Sequence, residues 1–133
     1  MQDRKHVQEW LTRGDHDWQS AQLLFKAKAP TGSLVLLLQQ ACEKELKGYL
    51  VHKGWLLKKT HNLAELVDEA IEYEAAFDTY LNLAHQLTAY YFETRYPPGA
   101  PKEYSEEEID NLMRQAGKLI TTIKESLGGS SQA

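Results

Sequence analysis

The sequence predicts an all-α protein, an up-and-down bundle of about five helices, on three observations. Apolar residues recur at three- and four-residue spacing along most of the 133 residues, which gathers them on one face of a helix. Cap residues, glycines and prolines fall between those stretches, where helices start and stop. No stretch alternates apolar and polar residues long enough to read as a strand.

The first helix is expected from about Gln2 to Lys28, with Val7, Leu11, Gly14, Trp18, Ala21 and Phe25 on one stripe and Trp10 and Leu24 widening it. Gly14 lies inside that stripe, marking either a close helix–helix approach or a break before Asp15. Pro30-Thr31-Gly32-Ser33 is a turn and cap signal, and a second helix is expected from about Ser33 to His52. It opens on five consecutive apolar residues, Leu34–Leu38, and then turns Ala41, Cys42, Leu46, Tyr49 and Leu50 inward. Gly54 stands just past its end, where a left-handed residue commonly sits.

Asn62 with Glu65 three residues on reads as a cap for a short third helix carrying Leu63, Leu66, Val67, Ala70 and Ile71. A fourth helix is expected from about Ala75 to Phe92, with Phe77, Leu81, Ala84, Thr88 and Tyr91 on one face and Leu87 beside it. Tyr96-Pro97-Pro98-Gly99-Ala100-Pro101 stops it, because proline neither donates nor fits inside a helix. Ser105 and Glu108 form a capping box for the last helix, whose stripe is Ile109, Leu112, Met113, Ala116, Leu119, Ile120 and Ile123. Residues 1–127 therefore make one bundle, and residues 128–133 are expected to be a disordered tail.

Net charge is −4, so no global basic field draws the chain onto nucleic acid. Cys42 is the only cysteine, which rules out an intramolecular disulfide and a zinc–thiolate cluster within one chain. The N-terminal residues lead into charged sequence rather than a signal peptide, and Leu34–Leu38 falls far short of the roughly 20 residues that span a bilayer. The expectation is a cytoplasmic protein with no membrane segment.

Of the five histidines, no pair has the i, i+4 spacing of helical metal ligands, and Asp15-His16-Asp17 is a triplet whose side chains diverge. Neither a metal nor a cofactor is expected, and the glycine-rich phosphate-binding patterns are absent. Gln40, Glu43, Lys44 and Lys47 share one side of the second helix. They read either as a solvated face with a surface Glu43–Lys47 pair or as the lining of a binding cleft. Arg95, between Phe92 and Tyr96, can stack on a base or grip a phosphate, or it can cap the fourth helix. His61 directly precedes a helix, where it can reach a bound anion or cap the segment. Lys26 and Lys28, with Lys53, Lys58 and Lys59, read as a modest basic patch or as ordinary solubilising charge.

From about Asp15 to Leu127 the sequence resembles the HEPN family (higher eukaryotes and prokaryotes nucleotide-binding domain). The resemblance is carried by Asp17-Trp18-Gln19-Ser20-Ala21, by Gln39-Gln40-Ala41-Cys42-Glu43-Lys44-Glu45-Leu46-Lys47, by His61-Asn62-Leu63, and by Thr94-Arg95-Tyr96-Pro97. It implies a short helical bundle that pairs with a second copy across its polar face, often beside a small nucleotidyltransferase in toxin–antitoxin or related two-protein systems. Many such proteins are metal-independent RNases that use an Arg followed four to six residues later by a His. Here no His follows Arg95, so the acid–base partner for RNA cleavage is missing.

The reading that results is a non-catalytic homodimeric module. Gln40, Glu43, Lys44, Lys47, His61, Arg95 and Tyr96 would meet a nucleotide, RNA or a nucleotidyltransferase partner. Two alternatives stand beside it: a divergent RNase using Arg95 with His61 or Tyr96, and a purely structural homodimerisation module.

Overall fold

The computed structural model describes residues 4–56, 58–60, 62–95 and 104–131, without the side chains at 4, 5, 93–95 and 129–131. It contains α1 (Arg4–Lys26), α2 (Thr31–His52), α3 (Leu63–Tyr73), a 3-10 segment (Ala75–Tyr80), α4 (Leu81–Arg95) and α5 (Glu106–Ser131), and no strand among the described residues. This is the all-α bundle that the periodicity implies.

α2 is the centre of the bundle. Fourteen of its 22 residues are buried, so it is enclosed on most sides rather than along one stripe. α1 runs antiparallel along it, with Gly14 against Glu45 and Leu11 against Gly48. α1 is a single helix through Gly14, so that glycine marks a close approach and not a break. α5 runs antiparallel to α1 in turn, placing Trp18 by Gly117 and Asp15 by Lys124. Val7, Leu11 and Ala21 of the expected α1 stripe are buried, whereas Phe25 remains 36% exposed.

The ends of the helices follow the local chemistry of the sequence. Asn62 accepts from the Glu65 amide at 3.2 Å, capping α3. The Ser105 hydroxyl accepts from the Glu108 amide at 3.1 Å while Glu108 accepts from the Ser105 amide at 3.0 Å, a complete capping box. Gly54 adopts φ +98°, with its own amide bonded to the Val51 carbonyl and the Trp55 amide to that of Leu50. That is the Schellman closure. α1 ends the same way, but with Lys28 at φ +55° in the place a glycine usually fills.

Two expectations shift. The segment from Ala75 is expected as one helix, but its first six residues form a 3-10 segment that follows Glu74, itself extended at φ −144°, ψ 111°. Three residues per turn over that stretch rotate the helix beyond it, so Leu83 and Leu87 are buried while Leu81 and Thr88 are only half-buried. The last helix continues to Ser131, past the Leu127 end expected from the sequence. No helix among the described residues is long and apolar enough to cross a membrane.

Candidate functional site

The chemistry-bearing residues gather where α1, α2 and α5 meet. α2 carries Glu43, Lys44, Glu45 and Lys47; because α1 lies along this side, those groups face it rather than open water. Lys44 Nζ donates to Asp17 Oδ2 at 2.6 Å, a bond that is partly buried. Lys47 Nζ donates to Glu43 Oε2 at 2.9 Å, and the two side chains are only 5% and 8% exposed. Gln39 Nε2 donates to the other Glu43 oxygen at 3.2 Å. The Lys47 ammonium also lies 5.2 Å from the centre of a Trp10 ring, where the π face attracts it.

This overturns the reading of Glu43–Lys47 as a surface pair. The i, i+4 spacing is as expected, but α1 covers the pair, so water does not screen it as it would a surface bridge. Lys44 is half-buried, and so is Gln40. His61, Tyr96 and the side chain of Arg95 lie outside the described residues; Arg95 contributes the last residue of α4.

The lysines singled out as a basic patch separate. Lys26 and Lys28 stand at the start of α2, and Lys53, Lys58 and Lys59 past its far end, about 30 Å away for a helix of this length. Lys53 and Lys58 are also drawn toward Glu74 and Glu69, at 3.7 Å each.

Sequence reasoning missed the centre of the cluster, Glu45. It is fully buried, and no donor of another residue reaches either carboxyl oxygen; the Asp15 carboxylate is the neighbour that a proton on Glu45 bonds to. Gly14 packs directly over Glu45. At the edge, Lys124 Nζ donates to both oxygens of Asp15, at 2.7 and 2.8 Å, and stands 3.9 Å from Glu45 Oε1. Burial, reinforced by the Asp15 carboxylate, pushes the Glu45 carboxyl up to about 9, so it is held neutral near pH 7. For Asp15, burial acts upward, but the Glu45 carboxyl and the Lys124 ammonium outweigh it and hold Asp15 below its ordinary value. Burial, with the charge of Glu45 in second place, raises the Cys42 thiol to about 12.

A signal for Glu45 was present. Position 45 is three residues after Cys42, four before Tyr49 and seven after Leu38, which is the spacing of the buried stripe. A carboxyl at a core position, with a glycine on the facing helix, is the pattern to look for.

Three ammonium groups (Lys44, Lys47, Lys124) thus meet three carboxylates (Asp17, Glu43, Asp15), with one neutral carboxylic acid beneath them. A second cluster lies close by, about two residues further along both α2 and α5. Glu74 Oε1 accepts from the Tyr49 hydroxyl and from Ser126 Oγ, at 2.6 Å each. Those two bonds, with Lys53 adding to them, hold Glu74 below its ordinary value, while burial and the Glu74 carboxylate raise Tyr49. Among the described residues no group of three His, Cys, Asp or Glu side chains is placed to hold a metal ion.

The chain is similar to the crystal structure of TT1696 from Thermus thermophilus, at 25% identity and a TM-score of 0.78, over 90% of this chain and 97% of that one. It is also similar in fold to ST0689, described as an archaeal HEPN homologue, at 22% identity and a TM-score of 0.68, over 91% and 97% of the two chains. No curated protein matches. A family model for the HEPN domain matches residues 7–126, nearly the whole chain, and the protein therefore belongs to the HEPN domain family.

Proposed function

We propose that this HEPN domain is a non-catalytic module that works by binding a partner protein, in a toxin–antitoxin-like or related two-protein system with a small nucleotidyltransferase. The observation that carries the choice of a protein over a nucleotide is the charge balance of the α1–α2–α5 cluster. Each of its three lysines already holds a carboxylate at 2.6 to 2.9 Å. A phosphate would have to displace one of those carboxylates and leave it buried or half-buried without its cation, which is costly. The net charge of −4 adds a general repulsion of polyanions. The absence of any His after Arg95 argues against RNA cleavage by the arrangement common in the family.

The test has two arms. In the first, purified protein and its Arg95→Ala variant are incubated with RNA without metal, and the wild type is titrated calorimetrically with the common nucleoside triphosphates. The expected result is no cleavage and no saturable heat. In the second, light scattering of the protein mixed with a small nucleotidyltransferase is expected to show a complex of defined mass. Cleavage that disappears in Arg95→Ala would make this an RNase, and micromolar nucleotide binding would restore the nucleotide as ligand.

A further inference from the structure

Among the described residues, the large side chains that are fully buried all lie outside α1. They include Leu38, Leu46 and Tyr49 of α2, Leu66 of α3, Leu83 of α4 and Leu112 of α5. α1 adds only Val7 and Leu11, still 9% and 7% exposed, and the small Ala21. Between Leu11 and Ala21 its seam is made of Gly14, the half-buried Trp18 and two carboxylates. Those carboxylates reach in different directions, Asp15 to Lys124 of α5 and Asp17 to Lys44 of α2. α1 is thus a strap laid over a core that the other helices complete, and polar contacts hold its middle. An element with few buried apolar contacts opens at a lower free energy than the core it covers.

The middle of the strap closes on Glu45. The Gly14 backbone lies over its carboxyl, Asp15 is the neighbour its proton bonds to, and Lys124 Nζ stands 3.9 Å from Oε1. The other titratable groups near it have settled roles. On α2, Cys42 is a buried thiol, Lys44 is taken by Asp17 and Tyr49 by Glu74. On α1, His16 is exposed beside Asp15. With its proton, Glu45 donates to Asp15, and the pair shares the ammonium of Lys124. Without it, two carboxylates face one ammonium in a seam closed to water, and neither can donate to the other. That conflict is relieved when α1 lifts and water reaches Glu45.

We infer that α1 is a proton-latched strap: the hydrogen bond from Glu45 to Asp15 holds it closed, and loss of that proton releases it while the rest of the bundle stays folded. Opening carries Asp15 and Asp17 away with α1 and leaves Lys44, Lys124 and the ionised Glu45 on the uncovered face. The sign follows from the proton. Closed, Glu45 keeps it up to about 9; open, the carboxyl returns to its ordinary 4.5. Asp15, lowered from 3.8, stays ionised across this range. Closure is therefore strongest below about pH 4.5 and weakens about tenfold per pH unit up to about pH 9.

The test is hydrogen exchange of the full chain, read by mass spectrometry at pH 6, 7 and 8. Protection factors divide out the intrinsic pH dependence of exchange. The amides of residues 12–20 are expected to lose protection about tenfold per pH unit. Residues 34–50 of α2 are expected to stay at least about tenfold better protected throughout, the mark of α1 opening by itself. Glu45→Gln, whose side-chain amide can donate to Asp15 as the protonated acid does, should hold the protection of residues 12–20 constant with pH. Asp15→Asn removes the neighbouring carboxylate and leaves Lys124 to Glu45, so it should make the slope shallower.

Equal protection of the two segments at each pH would overturn the inference, because α1 would then open only with the whole bundle. Protection of residues 12–20 that does not change with pH in the wild type would overturn it too, as would a wild-type slope in either variant.

Discussion

Gly14 and Glu45 share one volume: a Cβ on Gly14 would stand 2.8 Å from both Cγ and Oε2 of Glu45. The Glu45 side chain is fully buried, so it has no open side toward which to retreat. Alanine in place of a mid-helix glycine gains about 1 kcal/mol of helix propensity. Overpacking a filled site costs about 1 to 3 kcal/mol. Gly14→Ala is therefore expected to destabilise the protein by about 1 kcal/mol in urea unfolding. In Gly14→Ala/Glu45→Ala the new methyl occupies space the carboxyl has left, so the double variant should be more stable than Gly14→Ala alone. Costs that simply add would mean the two residues do not compete for this space.

The same carboxyl gives the stability a pH dependence of predictable sign. Glu45 is raised from 4.5 to about 9 by burial and by Asp15, so the folded protein holds a proton that the unfolded chain releases. Its contribution is complete below about pH 4.5 and is lost progressively as pH rises through about 9. Asp15, lowered from 3.8, acts in the opposite sense, in a window below about pH 4 that does not overlap. Wild-type stability should thus fall between pH 5 and 9, and Glu45→Gln, which is neutral throughout, should flatten that fall. At pH 9 the variant should exceed wild type by at least about 1 kcal/mol. Parallel stability–pH curves for the two proteins would show that Glu45 is not the titrating group.

The fold was legible because it rests on periods and caps that a sequence carries locally. Asn62, Ser105 with Glu108, and Gly54 each act within a few residues, and each stands as the sequence implies. The polar cluster was less legible because its partners are distant in sequence. Lys44 meets Asp17 and Lys124 meets Asp15, 27 and 109 residues apart, and no spacing rule on one helix reveals such pairs. Glu43–Lys47 was found by its i, i+4 spacing, but that spacing is equally good on a wet or a covered face. Only the packing of α1 decides which it is. The register change at Leu83 came from the 3-10 turns of Ala75–Tyr80, where no proline or glycine gives warning.

Cys42 should be inert in the native state. It is fully buried in the middle of α2, and burial with the nearby Glu45 charge raises its thiol to about 12. The thiolate that reacts with an alkylating reagent is then both scarce and shielded. Iodoacetamide labelling at pH 8, followed by mass spectrometry, is expected to proceed only at the rate at which the bundle opens. Labelling should accelerate across the urea transition that circular dichroism reports. Rapid modification in native buffer would mean that the seam between α1 and α2 opens locally and often.

Glu43 and Lys47 should behave as a buried pair does, not as a surface bridge. With side chains 8% and 5% exposed, each is held by its partner, and Glu43 also by Gln39. Lys47→Met keeps much of the length of the aliphatic stem but strands the Glu43 carboxylate and removes the cation from the Trp10 face. A loss of about 3 kcal/mol is expected in urea unfolding, against about 0.5 kcal/mol for an exposed i, i+4 pair. The double variant Glu43→Gln/Lys47→Met removes both charges and leaves an amide that can still bond Gln39. It should recover most of that loss, because the penalty lies in an uncompensated buried charge more than in the missing attraction. A cost below 1 kcal/mol for Lys47→Met alone would mean that water reaches Glu43, and that α1 does not seal this side of α2 in solution.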